Sequence, residues 1–170
     1  GSPKLSWWFS GSGYGKVHVF LGPIYKGGMV ITPSDATVTI ERPVIGGGFG
    51  GLLAVGDFNG DGYDDLAAAV PSYSVFAPQV FGFFGAAAIT GLTATKAWEI
   101  GNPSFHIYGT PAADLSTMSC PGDIDGDGCD ELLVFNPGQP AGSYSRAGVG
   151  ALFRGSPGLS GDKYGNADAD

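Results

Sequence analysis

Apolar positions along the chain fall in short runs, each closed by glycine, proline or serine. No stretch keeps apolar residues at the spacing of an amphipathic helix, and short runs bounded by turn residues read as strands. The pattern predicts strands over Gly51–Val55, Leu66–Val70, Val80–Phe84 and Ala94–Ile100. It predicts a second series over Leu115–Ser119, Leu132–Phe135 and Val149–Arg154, with the fourth strand weak or missing. Upstream, Val17–Leu21 and Thr37–Glu41 supply two more, with Leu5–Phe9 a candidate third. The chain is read as all-β.

The strands belong to repeats. Gly56-Asp-Phe-Asn-Gly-Asp-Gly-Tyr-Asp-Asp-Leu-Ala-Ala-Ala-Val-Pro71 aligns without a gap on Gly122-Asp-Ile-Asp-Gly-Asp-Gly-Cys-Asp-Glu-Leu-Leu-Val-Phe-Asn-Pro137, with eight of sixteen positions identical. A short apolar stretch ending in glycine recurs at Gly15–Gly22, Gln79–Gly85 and Gly148–Gly155. An aromatic-glycine pair recurs at Phe49-Gly50, Tyr108-Gly109 and Tyr164-Gly165. Markers returning in one order mean repeated structural units, each reading as four short strands.

Composition agrees. Glycine (31) and proline (12) make up a quarter of the 170 residues without a three-residue period, which excludes collagen and disfavours helices. A hydrophobic content of 43% is enough for a core and excludes a disordered chain. Residues 66–95 carry no charge, but Pro71, Pro78, Gly82, Gly85 and Gly91 interrupt them. A spanning helix needs ~20 mostly apolar residues in a row, so these are read as buried strands and no membrane insertion is expected.

The net charge of -8 is local. Nine of the 16 acids lie in Asp57–Asp65 and Asp123–Glu131, and the rest of the chain is near neutral. With no basic patch, nucleic-acid binding is disfavoured.

Asp57, Asn59, Asp61 and Asp65 stand at positions 1, 3, 5 and 9 of a loop, and Asp123, Asp125, Asp127 and Glu131 repeat the spacing. Carboxylates so crowded repel one another unless a cation holds them. Calcium takes six to eight hard oxygens, and alternate positions of a tight loop point inward. The carbonyls of Tyr63 and Cys129, at position 7, are the natural fifth ligands. Glycines at positions 4 and 6 permit the positive φ that wraps a loop round a metal. Two calcium sites are therefore expected, the second looser because Glu131 is one methylene longer than Asp65. An EF-hand shares the opening spacing but needs a glutamate at position 12 and flanking helices. Position 12 is Ala68 in one loop and Val134 in the other, both within predicted strands. The remaining rival is a solvated acidic turn.

These motifs resemble the FG-GAP repeat: aromatic-Gly, then Gly-Asp-x-[Asn/Asp]-Gly-Asp-Gly-x-Asp-[Asp/Glu]-Leu, a proline, and an apolar strand ending in glycine. The resemblance, with the integrin α-subunit propeller as its familiar bearer, covers about residues 13–165. It implies four-stranded antiparallel β-propeller blades with calcium in the hairpin between the first two strands, and an extracellular setting. The implied division is residues 1–48 as the end of one blade, 49–107 and 108–163 as two blades, and 164–170 as the start of another repeat. That makes about two and a half to three blades, an incomplete propeller.

Other chemistry is sparse. His18 and His106 sit in unlike contexts, and a lone strand histidine is most often a packed polar residue. Glu41, Glu99, Asp35 and Asp114 are scattered singles. No Gly-x-Ser-x-Gly elbow is present, and Gly11–Gly15 lacks the Lys-Ser/Thr of a phosphate loop. Trp7-Trp8-Phe9 suits sugar stacking or, better, packing between blades, and Phe81, Phe83 and Phe84 are assigned to the core. Cys120 and Cys129 flank the second loop, as a bridge or as two thiols. Three functions follow: a non-catalytic recognition or adhesion module for a protein or glycan ligand; a subunit completing its blades with copies of itself or the rest of a longer propeller; or the propeller portion of a secreted enzyme acting on polysaccharide or phospholipid.

Overall fold

The computed structural model describes residues 5–12, 14–21, 31–41, 48–71, 78–86, 105–108, 115–137, 143 and 148–164. These form β1 (Leu5–Ser12), β2 (Tyr14–Leu21), β3 (Val38–Glu41), β4 (Leu52–Gly56), β5 (Asp65–Val70), β6 (Gln79–Phe83), β7 (Phe105–Tyr108), β8 (Thr117–Gly122), β9 (Glu131–Asn136), β10 (Val149–Phe153) and β11 (Gly161–Tyr164). One 3-10 turn, Pro33–Asp35, precedes β3; its Asp35 carboxylate accepts the Thr32 amide at 3.0 Å, a local structural task for one of the scattered acids.

Three sheets result. The first is an antiparallel meander, β1-β2-β3. The second runs β4-β5-β6-β7 antiparallel, with β11 added beyond β7. The third is the antiparallel β8-β9-β10. The chain is all-β, and its antiparallel sheets are consistent with β-propeller blades.

Strand β5 explains the stacking. All six of its residues are buried, because successive side chains point to opposite faces and both faces are covered. Leu66, Ala68 and Val70 pack with Val17, Val19, Val38 and Ile40 of the first sheet. Ala67 and Ala69 pack with Met118, Leu132, Val134, Ala151 and Phe153 of the third. Alanine on both faces lets neighbouring sheets approach closely. Each larger side chain buried contributes about 1.5–3 kcal/mol, so the middle sheet is held by two cores at once. Phe81 and Phe83 lie in the first core and Phe84 lines the second, as assigned from sequence. Phe49 meets Phe81 edge-on at 5.9 Å. A side chain at Gly15 would collide with the Phe49 backbone, so glycine there lets the first sheet close on the aromatic-glycine turn.

Two expectations meet a different arrangement. Among the described residues the fourth strand of the second sheet is β7; Ala94–Ile100, expected in that place, lie outside those described. The antiparallel pattern also has an exception: β11 pairs parallel to β7, with Tyr164 opposite Tyr108. The outer edge of β7 is a row of peptide groups that would otherwise lack partners, and a returning segment satisfies it. Tyr164 therefore ends a strand of this sheet. In addition, β8 reaches beyond Leu115–Ser119 to Gly122, with an irregularity between Ser119 and Gly122. Pro121, which has no amide hydrogen to give, falls within it. No helix among the described residues is long and apolar enough to cross a membrane.

Candidate metal centre

Each acidic loop joins the first two strands of its sheet. Gly56 pairs with Asp65 where β4 and β5 meet, and Gly122 with Glu131 where β8 and β9 meet, so positions 1 and 9 come together at the mouth of each loop. Gly60, Gly62, Gly126 and Gly128 all have positive φ, between 72° and 92°, at positions 4 and 6 as the sequence indicated. That backbone reversal turns the loop's amides toward its carboxylates.

In the first loop, Asp57 Oδ1 accepts the Asp61 amide at 2.9 Å and Oδ2 the Gly62 amide at 2.7 Å. Asn59 Oδ1 also accepts from Asp61, at 3.0 Å, and Asp61 Oδ1 accepts from Tyr63 at 2.9 Å. The second loop repeats the scheme. Asp123 accepts from Gly126, Asp127 and Gly128, Asp125 from Asp127, and Asp127 from Cys129.

The ninth residues differ. Asp65 is buried and accepts the Phe58 amide at 2.9 Å through Oδ2 and the Gly85 amide at 2.7 Å through Oδ1. Burial pushes its carboxyl up to about 7; the charges of Asp61 and Asp57 add to the rise, and the two amides oppose it. Glu131, equally buried, accepts the Ile124 amide at 2.7 Å through Oε2, while Oε1 has no hydrogen-bond partner. A buried carboxylate oxygen without a partner costs free energy that a bound cation removes. Oxygens of Asp123, Asp125 and Glu131 lie within 4.8 Å of one another. Asp127 is outside that group, and among the described residues the first loop forms no such group. Glu131, whose extra methylene is expected to loosen the second loop, has a carboxylate oxygen within 4.8 Å of those of both aspartates.

Arg154, just after β10, sets its guanidinium 3.3 Å from Asp125 Oδ2. In the aligned strand of the first repeat Phe84 stands at this place. The two loops also touch. Asp130 Oδ2 accepts the Asp57 amide at 2.9 Å, and the Asp130 amide donates to the Asp57 carbonyl at 2.8 Å. Sequence reasoning passed over both Asp130 and Arg154. The signal for Asp130 was visible: an acid follows the carbonyl position in both loops, at Asp64 and Asp130, where neighbours facing inward leave it facing out. Arg154 carried no signal, since its partner lies across a strand junction.

Cys120 and Cys129 are unbridged. Burial pushes the Cys120 thiol up to about 11. His18 is buried in β2 and shares a 2.9 Å hydrogen bond between Nδ1 and Thr39 Oγ1, a packing arrangement. The side chains of Trp7, Trp8, Phe9 and His106 and the residues Glu99 and Asp114 lie outside those described.

Comparison with known proteins agrees with the loop geometry. The chain is 28% identical over 165 residues to human (Homo sapiens) phosphatidylinositol-glycan-specific phospholipase D, covering 89% of this chain and 19% of that protein. It is 28% identical over 150 residues to the Rattus norvegicus protein of the same name, covering 82% and 16%. The chain thus spans a fifth or less of the length of these relatives. Residues 49–89 and 119–153 match the FG-GAP repeat. Each matched segment contains one acidic loop, so the chain carries two segments that match the FG-GAP repeat.

Proposed function

We propose that the chain is a calcium-stabilised segment of an extracellular β-propeller that binds a ligand and does not itself catalyse. The observation that carries the metal part is the buried, unpartnered Oε1 of Glu131, a residue that brings a carboxylate oxygen within 4.8 Å of those of Asp123 and Asp125. Hard carboxylate oxygens with a backbone carbonyl at position 7 are the donor set calcium prefers. In the first loop Asp57, Asn59, Asp61 and Asp65 would hold the ion with the Tyr63 carbonyl. In the second, Asp123, Asp125, Asp127 and Glu131 would do so with that of Cys129. Bound metal offsets the repulsion within each loop and stiffens the hairpin, leaving loops elsewhere to recognise a protein or glycan. On this reading the expected divisions at residues 1–48, 49–107, 108–163 and 164–170 approximate the blades, with Gly161–Tyr164 returning to the second sheet, and the arc is completed by copies of the chain or by more of a longer propeller.

Melting tests the metal part. The wild-type chain is expected to melt many degrees higher in calcium than in excess EGTA, with Asp57→Ala and Asp123→Ala each losing part of the difference. Identical curves would contradict it. Light scattering after size-exclusion chromatography tests completion by copies, which a monodisperse 17.3 kDa species would contradict.

The named relatives favour a second reading, in which the segment is the propeller portion of a phospholipid-acting enzyme. Vesicles with and without a glycosylated phosphatidylinositol separate the two. Selective binding without hydrolysis supports a recognition portion of such an enzyme, and hydrolysis by the purified chain would overturn the non-catalytic assignment.

A further inference from the structure

We infer that Asp130, in the second loop, is a positioning residue for cation binding in the first, so that the two loops bind as a coupled pair; this rests on the calcium reading above. Asp130 is position 8 of its loop, between a carbonyl ligand at Cys129 and a carboxylate ligand at Glu131, and its side chain turns to the neighbouring repeat. There it takes the Asp57 amide at 2.9 Å, while its own amide takes the Asp57 carbonyl at 2.8 Å. The first ligand of the first loop is thus held on both sides by one residue of the second.

The next residue is held as well. The Phe58 carbonyl accepts the Ser156 amide at 2.9 Å, and the Phe58 amide donates to Asp65, the ninth ligand. Cys129 also packs on the first loop: a side chain at Gly60 would come within 2.8 Å of its Sγ. The backbone at positions 1 and 2 of the first loop therefore takes its place from the second repeat. An ion that orders residues 127–131 fixes Asp130, and through it Asp57, before the first loop binds. Such coupling is reciprocal.

Terbium luminescence excited through Tyr63 reads the first loop, because Tyr63 is its seventh residue and residues 123–131 contain no aromatic. In the 170-residue chain, Asp130→Ala is expected to weaken this binding about tenfold, the scale of a charge-assisted hydrogen bond. Asp130→Asn keeps an acceptor oxygen and is expected to lose less than about threefold. Calcium binding to the second loop, read by calorimetry in an Asp57→Ala background, should be unchanged by Asp130→Ala, with circular dichroism verifying the fold. Asp123→Ala, which leaves Asp130 in place, tests coupling independently and should weaken Tyr63-excited binding several-fold. Unchanged first-loop affinity in Asp130→Ala or in Asp123→Ala would overturn the inference, as would equal loss at both loops or Asp130→Asn no better than Asp130→Ala. In each of these cases the calcium reading stands. A wild-type chain that binds neither terbium nor calcium overturns both.

Discussion

Asp65 and Glu131 close the two acidic loops at the same ninth position, and each accepts the amide of its loop's second residue, Phe58 or Ile124. They part at the other oxygen. In Asp65 it is taken by Gly85, whereas in Glu131 it is buried with no partner. Backbone amides take both oxygens of Asp65 and only one of Glu131.

That difference gives a crossing effect for Glu131→Gln. Without metal, replacing a buried carboxylate that has one unpartnered oxygen by an amide that donates toward Asp123 and Asp125 should stabilise the chain by about 1–3 kcal/mol. With calcium the same change removes a charged ligand and should destabilise it. Melting in EGTA and in millimolar calcium should therefore reverse the order of variant and wild type. The same order in both conditions would count against Glu131 as a ligand.

Arg154 competes for Asp125. The pair is exposed, with 60% of the arginine side chain accessible, so its strength is below about 1 kcal/mol and falls with salt. Arg154→Ala in an Asp57→Ala background should tighten calcium binding at the second loop by up to about fivefold, with the gain shrinking as sodium chloride is raised. Weaker binding would assign Arg154 a supporting role.

Gly60 and Gly126 occupy the same fourth position with φ of 72° and 80°. Alanine pays a left-handed penalty of about 1–2 kcal/mol at either. Only at Gly60 does the added carbon also meet Cys129 Sγ; at Gly126 nothing lies within 4 Å. Urea unfolding should rank Gly60→Ala below Gly126→Ala in stability. Equal losses would mean that the two loops do not touch in solution.

The thiols should be slow to react. Cys129 is 1% exposed, and burial holds the Cys120 thiol, pushed up to about 11, in its protonated form at pH 8. A thiol reagent should label both cysteines slowly in the folded chain and rapidly in denaturant. A linked Cys120–Cys129 peptide in unreduced digests would contradict the structure.

What could be read in advance follows from how local each feature is. Leu66–Val70 announced a buried strand, because an uncharged run flanked by turns has few other uses; that both of its faces are covered came from the stacking of three sheets. The loop glycines announced positive φ, since the reversal they permit is set within nine residues. The pairing of β11 with β7 was not legible, for it joins Tyr164 to Tyr108 across another whole sheet. Nor was the bond from Asp130 to Asp57, which depends on how two sheets stack. The unlike pairing of the two ninth residues was not legible either, since side-chain length does not say which amides reach each oxygen.

The most direct measurement is the native mass of the chain with calcium and after chelation. The chain should carry two calcium ions, both lost to EGTA, with Asp57→Ala and Asp123→Ala each carrying one fewer. A mass unchanged by calcium, or loading that both variants retain in full, would contradict calcium binding at these loops.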